Sequence, residues 1–172
     1  MADGTLKVGT ITTSSGSGTI TIPNTVTVAG AMANTPAFLF NLASNQSIST
    51  STNTKLLFTN EVLDTNNAFS SNAFTVPSGE AGSYYIYGCC AWDSNSSGQR
   101  LFQIYKNGSL SMRVFSDQGE SSGQSSASSG GIMVLSVGDY IEAYVQQNSG
   151  STLNVRSDVE RTFFGGYKLI GV

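Results

Sequence analysis

The chain of 172 residues contains no histidine. That absence removes Ser-His-Asp and Cys-His nucleophile systems outright, because both need an imidazole to take up the proton. It also removes the commonest metal ligand, and with Cys89 and Cys90 as the only thiols a zinc site has almost nothing to draw on. The two cysteines are adjacent, and neighbouring side chains on a strand point to opposite faces, so they are poorly placed to bridge each other. We read them as one buried small apolar residue and one partly covered thiol. Charge is scarce too. Asp, Glu, Lys and Arg make up 11% of the chain, against roughly 25% in an average domain. The eight Lys and Arg are scattered singly and the net charge is −3, so no basic patch exists to neutralise phosphates. Nucleic acid is therefore not expected as a partner. No apolar run approaches the ~20 residues that cross a bilayer as a helix, and no membrane insertion is expected. The first residues lack the basic, apolar and small-residue succession of a secretion signal, from which synthesis in a cytoplasm is expected.

Ser, Thr, Asn and Gln take the place of charge, beside an ordinary apolar share of 39%. Low hydropathy with high net charge would mark disorder; this chain has neither. Period-two alternation recurs along it and helical periodicity is hard to find, which predicts an all-β domain. Residues 5–12 and 18–28 read as two short strands separated by a Thr/Ser/Gly loop at 13–17. A small, featureless stretch at 29–35 precedes Pro36. Residues 1–35 are expected to form an N-terminal anchoring arm, and 36–172 a head. In the head, strands are expected at 37–42, 55–58, 68–76, 83–92, 100–106, 110–115, 132–137, 140–146 and 163–170. Loops and turns are expected at 45–53, 64–67, 77–82, 93–98, 107–108, 117–131, 138–139 and 148–151. Many short strands with regular turn punctuation make a sandwich or barrel. Asn107-Gly108 is the sharpest turn signal, since both residues tolerate positive φ in a type I′ hairpin. The stretch 116–130 is almost entirely Ser, Gly, Gln and Ala, and long loops of this kind are usually functional or mobile.

One strand carries more than the rest. Across 139–147, Ile141, Ala143 and Val145 share one face, while Tyr140, Glu142, Tyr144 and Gln146 share the other. Two tyrosines on an outward sheet face suggest a subunit contact, with plain exposure as the alternative reading.

Landmarks from Pro36 onward resemble the C1q domain. Pro36-Ala37-Phe38 stands where that family opens, and Phe58, Asp64 and Phe69 match the spacing of its signature. Phe74-Thr75-Val76-Pro77 and Gly82-Ser83-Tyr84 follow in order, then Tyr105-Lys106-Asn107-Gly108, Leu135-Ser136-Val137-Gly138-Asp139 and Phe164-Gly165-Gly166-Tyr167-Lys168-Leu169. The sequence departs from the signature around Phe69–Phe74 and Phe74–Gly82, and at Ile86 and Gly88, where the family carries aromatics. The resemblance implies an antiparallel jelly-roll β-sandwich of the C1q/TNF type, packed as a homotrimer. Tyr140, Tyr144, Phe163 and Gly165 are expected at the trimer interface, the glycines 165 and 166 marking a bulge or a close backbone approach where three chains meet.

Residues 4–23 resemble a short segment recurrent in bacteriophage tail and fibre proteins. The expectation is a non-enzymatic virion protein. Its arm binds other virion proteins, and its trimeric head attaches to host-surface glycan; capsid decoration or a head fibre is the alternative. Recognition is expected from loops 93–99, 116–130 and 148–158. Trp92 and Phe115 flank them, and Asp93, Asn95, Gln99, Asp117, Gln118, Gln124, Asn148 and Asn154 supply polar contacts. Asp93, Asp117, Glu120, Asp158 and Glu160 read as solvated loop charges rather than as a glycosidase pair. No cofactor is expected. Calcium is the one ion that the resemblance raises, with Asp93, Asn95, Asp117 and Asp139 as candidates by type.

Overall fold

Alternation along the chain becomes two faced layers in a computed structural model that describes residues 34–116 and 125–170. The strands are β1 (Ala37–Leu42), β2 (Gln46–Ile48), β3 (Thr54–Lys55), β4 (Phe58–Asp64), β5 (Phe69–Ser70), β6 (Ala73–Thr75) and β7 (Gly82–Ala91). They continue with β8 (Arg100–Lys106), β9 (Ser109–Ser116), β10 (Ser126–Leu135), β11 (Tyr140–Gln147), β12 (Leu153–Val155) and β13 (Phe163–Lys168). One sheet runs β10-β7-β13-β1-β4; the other runs β5-β6-β11-β8-β9, with β3 also on β11. Every pairing is antiparallel. Among the described residues there is no helix.

The inward residues of both layers are large and apolar, and they meet in one core. Phe38, Phe40 and Leu42 from β1, Tyr84 and Ile86 from β7 and Phe164 from β13 face Phe102 and Ile104 from β8 and Ile141, Ala143 and Val145 from β11. Phe164 sits at the centre of a ring cluster. Its centroid lies 5.3 Å from Phe38, 5.8 Å from Phe58 and 6.2 Å from Phe69. Cys90 is buried and Cys89 half-buried, both unbridged, in line with the sequence reading. Burial pushes both thiols above their usual range, which leaves neither a ready nucleophile.

Several element boundaries differ from the expectation, each for a local reason. The strand expected at 68–76 is a hairpin: Ser71 and Asn72 take φ of 51° and 58° and reverse the chain between β5 and β6. The Asp64 carboxylate fixes its start by accepting from Ala68 N at 3.0 Å and Phe69 N at 2.9 Å. The strand expected at 55–58 divides between layers, Lys55 pairing with β11 and Phe58 with β1. The ribbon β2–β12 lies inside expected loops, and β10 begins at Ser126, within the expected loop 116–130. Small polar residues carry little strand signal of their own; ten registered pairs with β7 organise them. The arm at 1–35 falls outside the described residues except for 34–35, and Asp117, Gln118 and Gln124 fall outside them too.

The Asn107-Gly108 turn forms as expected, with φ of 52° and 75°. Asn107 also ties the turn to the neighbouring one: its amide donates to Asp139 Oδ1 at 2.7 Å and its Oδ1 accepts from Tyr140 N at 2.8 Å. Lys106 Nζ lies 2.8 Å from Asp139 Oδ2, which also accepts from Ser136 N. Hydrogen bonds from Lys106, Asn107 and Ser136 hold the Asp139 carboxyl down from 3.8 to about 2. A carboxylate with a depressed folded value contributes above its unfolded value and ceases to as pH falls through the folded one. The joined turns should therefore stay intact at pH 5 and loosen between roughly pH 4 and 2. An NMR titration of the Ser136 amide should report a midpoint near 2. Asp139→Asn should abolish that step, and a midpoint at the unperturbed value would contradict the assignment.

Candidate recognition and assembly surfaces

Three surfaces bear on function. The first is the outward face of the sheet β10-β7-β13-β1-β4. Because Tyr84 and Ile86 point inward, Tyr85 and Tyr87 point out; because Phe164 points inward, Phe163 and Tyr167 point out. Register sets them in rows: Ile132, Tyr85 and Tyr167 lie abreast, as do Cys89, Phe163 and Asn41. Tyr85 and Tyr87 stack at 5.7 Å, Tyr85 lies 5.9 Å from Tyr167, and Tyr87 lies 6.1 Å from Phe163. At the β10 edge Ile132 and Val134 are 67% and 74% exposed. Towards the β4 edge a groove of about 600 Å³ is lined by Leu39, Val62, Tyr87, Val159 and Phe163, with Asn41, Asn60 and Glu160 as its polar members. Its floor is closed by Asn41, whose amide donates to Val159 O at 2.9 Å and Thr162 O at 3.0 Å.

Gly165 takes part in this face. A Cβ there would stand 2.8 Å from the Tyr87 hydroxyl, and one on Gly166 would stand 2.6 Å from Ile86 Cδ1. Backbone comes as close, with Phe38 O 2.9 Å from a Cβ on Gly165 and Tyr85 O 3.0 Å from one on Gly166, so the paired glycines mark the close backbone approach expected of them, within one protomer, and the register shows no bulge there.

The second surface is the sandwich end where β7, β9 and β11 finish. Here the structure brings together several residues expected in recognition. Asn154 Nδ2 donates to Asp93 Oδ2 at 3.0 Å, and Arg156 reaches both Asp93 Oδ1 at 3.3 Å and Asp158 Oδ2 at 2.8 Å. Arg156 holds the Asp158 carboxyl below its usual range. Gln99 N donates to Asn148 Oδ1, and Asn95 Oδ1 accepts from Ser97 N at 2.8 Å. Phe115 stands at this end of β9, 55% exposed, with the Arg113 guanidinium 5.9 Å from its ring centroid. Trp92 is not the surface anchor expected from its place beside a loop. It is fully buried, because inward alternation in β7 continues past Cys90 into the core.

Arg100, which the sequence reading passed over, shapes this end. Its side chain is completely buried and faces no carboxylate among the described residues. The guanidinium instead donates to Ser97 O at 2.9 Å, Gln99 O at 3.2 Å and Asn95 O at 3.1 Å, and lies 5.9 Å from the Trp92 ring. Burial draws its pKa down. Nothing in a lone Arg at a strand start announces such a role; the signal is the loop that closes over it. A lysine has its three donors on one nitrogen and cannot set them at the two separated nitrogens from which Arg100 reaches these carbonyls. Arg100→Lys should cost at least about 2 kcal/mol in denaturant unfolding, on hydrogen bonds to a charged donor. Amides of 95–99 should then exchange faster with deuterium; unchanged exchange there would refute the anchoring role.

The residues named for calcium do not form one cluster, and Asp117 among them lies outside the described residues. β7 runs from Gly82 beside Leu135 to Ala91 beside Ser126, so Asp93 and Asp139 lie at opposite ends. Among the described residues no three Cys, Asp or Glu gather.

The third surface is the outward face of β11, and it is not the free aromatic strip that alternation suggested. Residues 49–55 strap across it. Ser51 N donates to Gln147 O at 2.6 Å, Asn53 Nδ2 donates to the Tyr105 hydroxyl at 2.9 Å, and Gln103 Nε2 donates to Asn53 Oδ1 at 2.7 Å. Lys55 meets Glu142 at 2.6 Å. Tyr144 is half-buried against Tyr105 at 4.5 Å, while Tyr140 is 37% exposed. Tyr140 and Tyr144 thus lie on one sheet and Phe163 and Gly165 on the other.

Solved structures with this arrangement include the globular domain of zebrafish complement 1qA protein, at TM-score 0.57 and 16% identity over 78% of this chain and 97% of that one. Murine APRIL is similar at TM-score 0.57 and 18% identity, covering 77% and 98%. Eiger TNF from S. frugiperda is similar at 0.60 and 13%, covering 79% and 93%. The chain has the C1q/TNF-like jelly-roll fold that the landmarks from Pro36 onward implied. No family profile matches the sequence, and no curated protein matches it.

Proposed function

We propose that this chain is a non-enzymatic binding domain that works as a homotrimer. Its subunits join through the aromatic face of β10-β7-β13-β1-β4, and it displays the loop end around Asp93, Asn148 and Asn154 to a target. The observation that carries this reading is that face. Tyr85, Tyr87, Phe163 and Tyr167 form a continuous ring surface between the exposed Ile132 and Val134 and the groove at Leu39 and Val62, and no described residue of the chain covers it. A contiguous apolar face of this kind marks a protein contact. Aromatic residues at a patch centre and polar ones at its rim match the anatomy of such contacts. The trimer is also the assembly that the C1q resemblance implies. The absence of histidine supports a binding rather than a catalytic role.

The setting we propose is a bacteriophage particle, on the resemblance of residues 4–23 alone, with the arm at 1–35 joined to other virion proteins and the head presented to host-surface glycan. Three linked heads turn weak single contacts into useful avidity. Sedimentation of the full chain should report a mass near three protomers; a single-chain mass would end the assembly reading. Antibody label against 36–172 on purified virions should fall over the tail, and label over the capsid would replace attachment with decoration.

A further inference from the structure

We infer a monosaccharide-sized binding site for a neutral sugar in a second, polar pocket beside the loop end; this rests on the recognition reading above. The pocket has a volume of about 330 Å³ and lies between the chain after β1 and the start of β4. That is at the small end of ligand sites, room for one sugar ring rather than a chain of them. Its chemistry is specific. Ser44, Asn45 and Thr59 present hydroxyl and amide groups, the exposed Leu57 supplies an apolar surface, and no lining residue is charged. Neutral donors and acceptors beside an aliphatic patch suit a ligand that alternates hydroxyls with C–H faces. They suit a phosphate, a carboxylate or a cation poorly, because nothing opposes the charge.

The pocket is also built rather than left over. Gln46 clasps its two walls: Oε1 accepts from Leu57 N at 2.9 Å and Nε2 donates to Lys55 O at 2.8 Å. Asn45 is held by its carbonyl end, where Oδ1 accepts from Ser157 N at 2.9 Å and Ser157 Oγ at 3.1 Å. That leaves its NH₂ group to donate elsewhere, and the hydroxyls of Ser44 and Thr59 likewise have no partner among the described residues. Ser47 Oγ donates to Asn154 Oδ1 at 2.7 Å, which links the wall to Asp93 and Arg156. Groups fixed before binding lose little freedom on binding, and this is what lets a small site hold a small ligand.

The test is amide NMR of the full chain titrated with glucose, galactose, mannose and N-acetylglucosamine. At least one sugar should shift amides of 42–47 and 57–59, with a dissociation constant of about 1–10 mM. Thr59→Trp, which fills the pocket from an exposed strand position, should weaken that response at least tenfold while leaving the remaining spectrum in place. Shifts confined to 93–99 and 148–154, or a response that Thr59→Trp does not change, would overturn the pocket while leaving glycan recognition standing. No shift with any of the four sugars would also overturn it. The mass of the assembly is read separately, so loss of the trimer reading would not be mistaken for loss of this site.

Discussion

Aspartate at both Ile132 and Val134 is expected to reduce the assembly to single chains. The two side chains are 67% and 74% exposed, so the isolated protomer barely uses them. Substitutions at such positions usually move protomer stability by no more than about 0.5 kcal/mol. In an assembled face the outcome is different. Ile132 stands abreast of Tyr85 and Tyr167, and a neighbour covering those rings would enclose the new carboxylates without counter-charge. Each enclosed, unpaired charge costs several kcal/mol, and every ~1.4 kcal/mol is a tenfold change in affinity. Two of them suffice to dissociate an interface of ordinary strength. Light scattering at about 10 μM protein, well above a typical nanomolar dissociation constant, should show the wild type near three protomers and the double variant near one. Val137→Asp is the control, because Val137 is 52% exposed in a turn outside the face. Tyr140→Asp should leave the mass unchanged, since β11 belongs to the opposite sheet. If the double variant remains a trimer while Tyr140→Asp dissociates, the assignment of faces is reversed.

The second large effect concerns the core. Phe164→Ala is expected to destabilise the domain by about 3–5 kcal/mol, the usual cost of emptying a buried phenylalanine site. Phe164 is fully buried and its ring meets Phe38, Phe58 and Phe69, so three further rings lose a neighbour at once. Whole domains of this size hold only about 5–15 kcal/mol. The variant should therefore melt about 10–20 °C lower. Because assembly adds concentration-dependent stability, the comparison belongs in the Ile132/Val134 double-aspartate background. Leu110→Ala, at a position 43% exposed, should cost under about 1 kcal/mol there. Equal losses at Phe164 and Leu110 would mean that the ring cluster is not the centre of the core.

The core strands were readable because alternation and turn chemistry are local. β1 and β8 fall where their alternation puts them, and Asn107-Gly108 turns where two positive φ angles are needed. The face proposed for assembly was harder to read. Tyr84, Tyr85, Ile86 and Tyr87 are apolar on both sides of one strand, which reads equally well as burial between two layers or as burial between layer and neighbour. In β11 Tyr144 looked free because the residues that cover it, 49–55, are about ninety positions away in sequence. The candidate loop end was legible as composition, and its pairs, Asp93 with Asn154 and Gln99 with Asn148, were not.

By itself, the sequence determined the class of the molecule: a charge-poor, histidine-free chain of short alternating strands can bury its apolar residues only between antiparallel layers. It also determined the order of landmarks that resembles C1q, and the two side-chain sets of each strand. Which set met the core, which was strapped by the same chain and which stayed open was decided by tertiary structure alone. The reason is physical: alternation has a period of two and is silent about which neighbour lies on either side. Strand order, set by contacts between distant residues, supplies those neighbours. That is why Trp92 went inward, Tyr144 was covered, and Tyr85 and Tyr87 were left facing out.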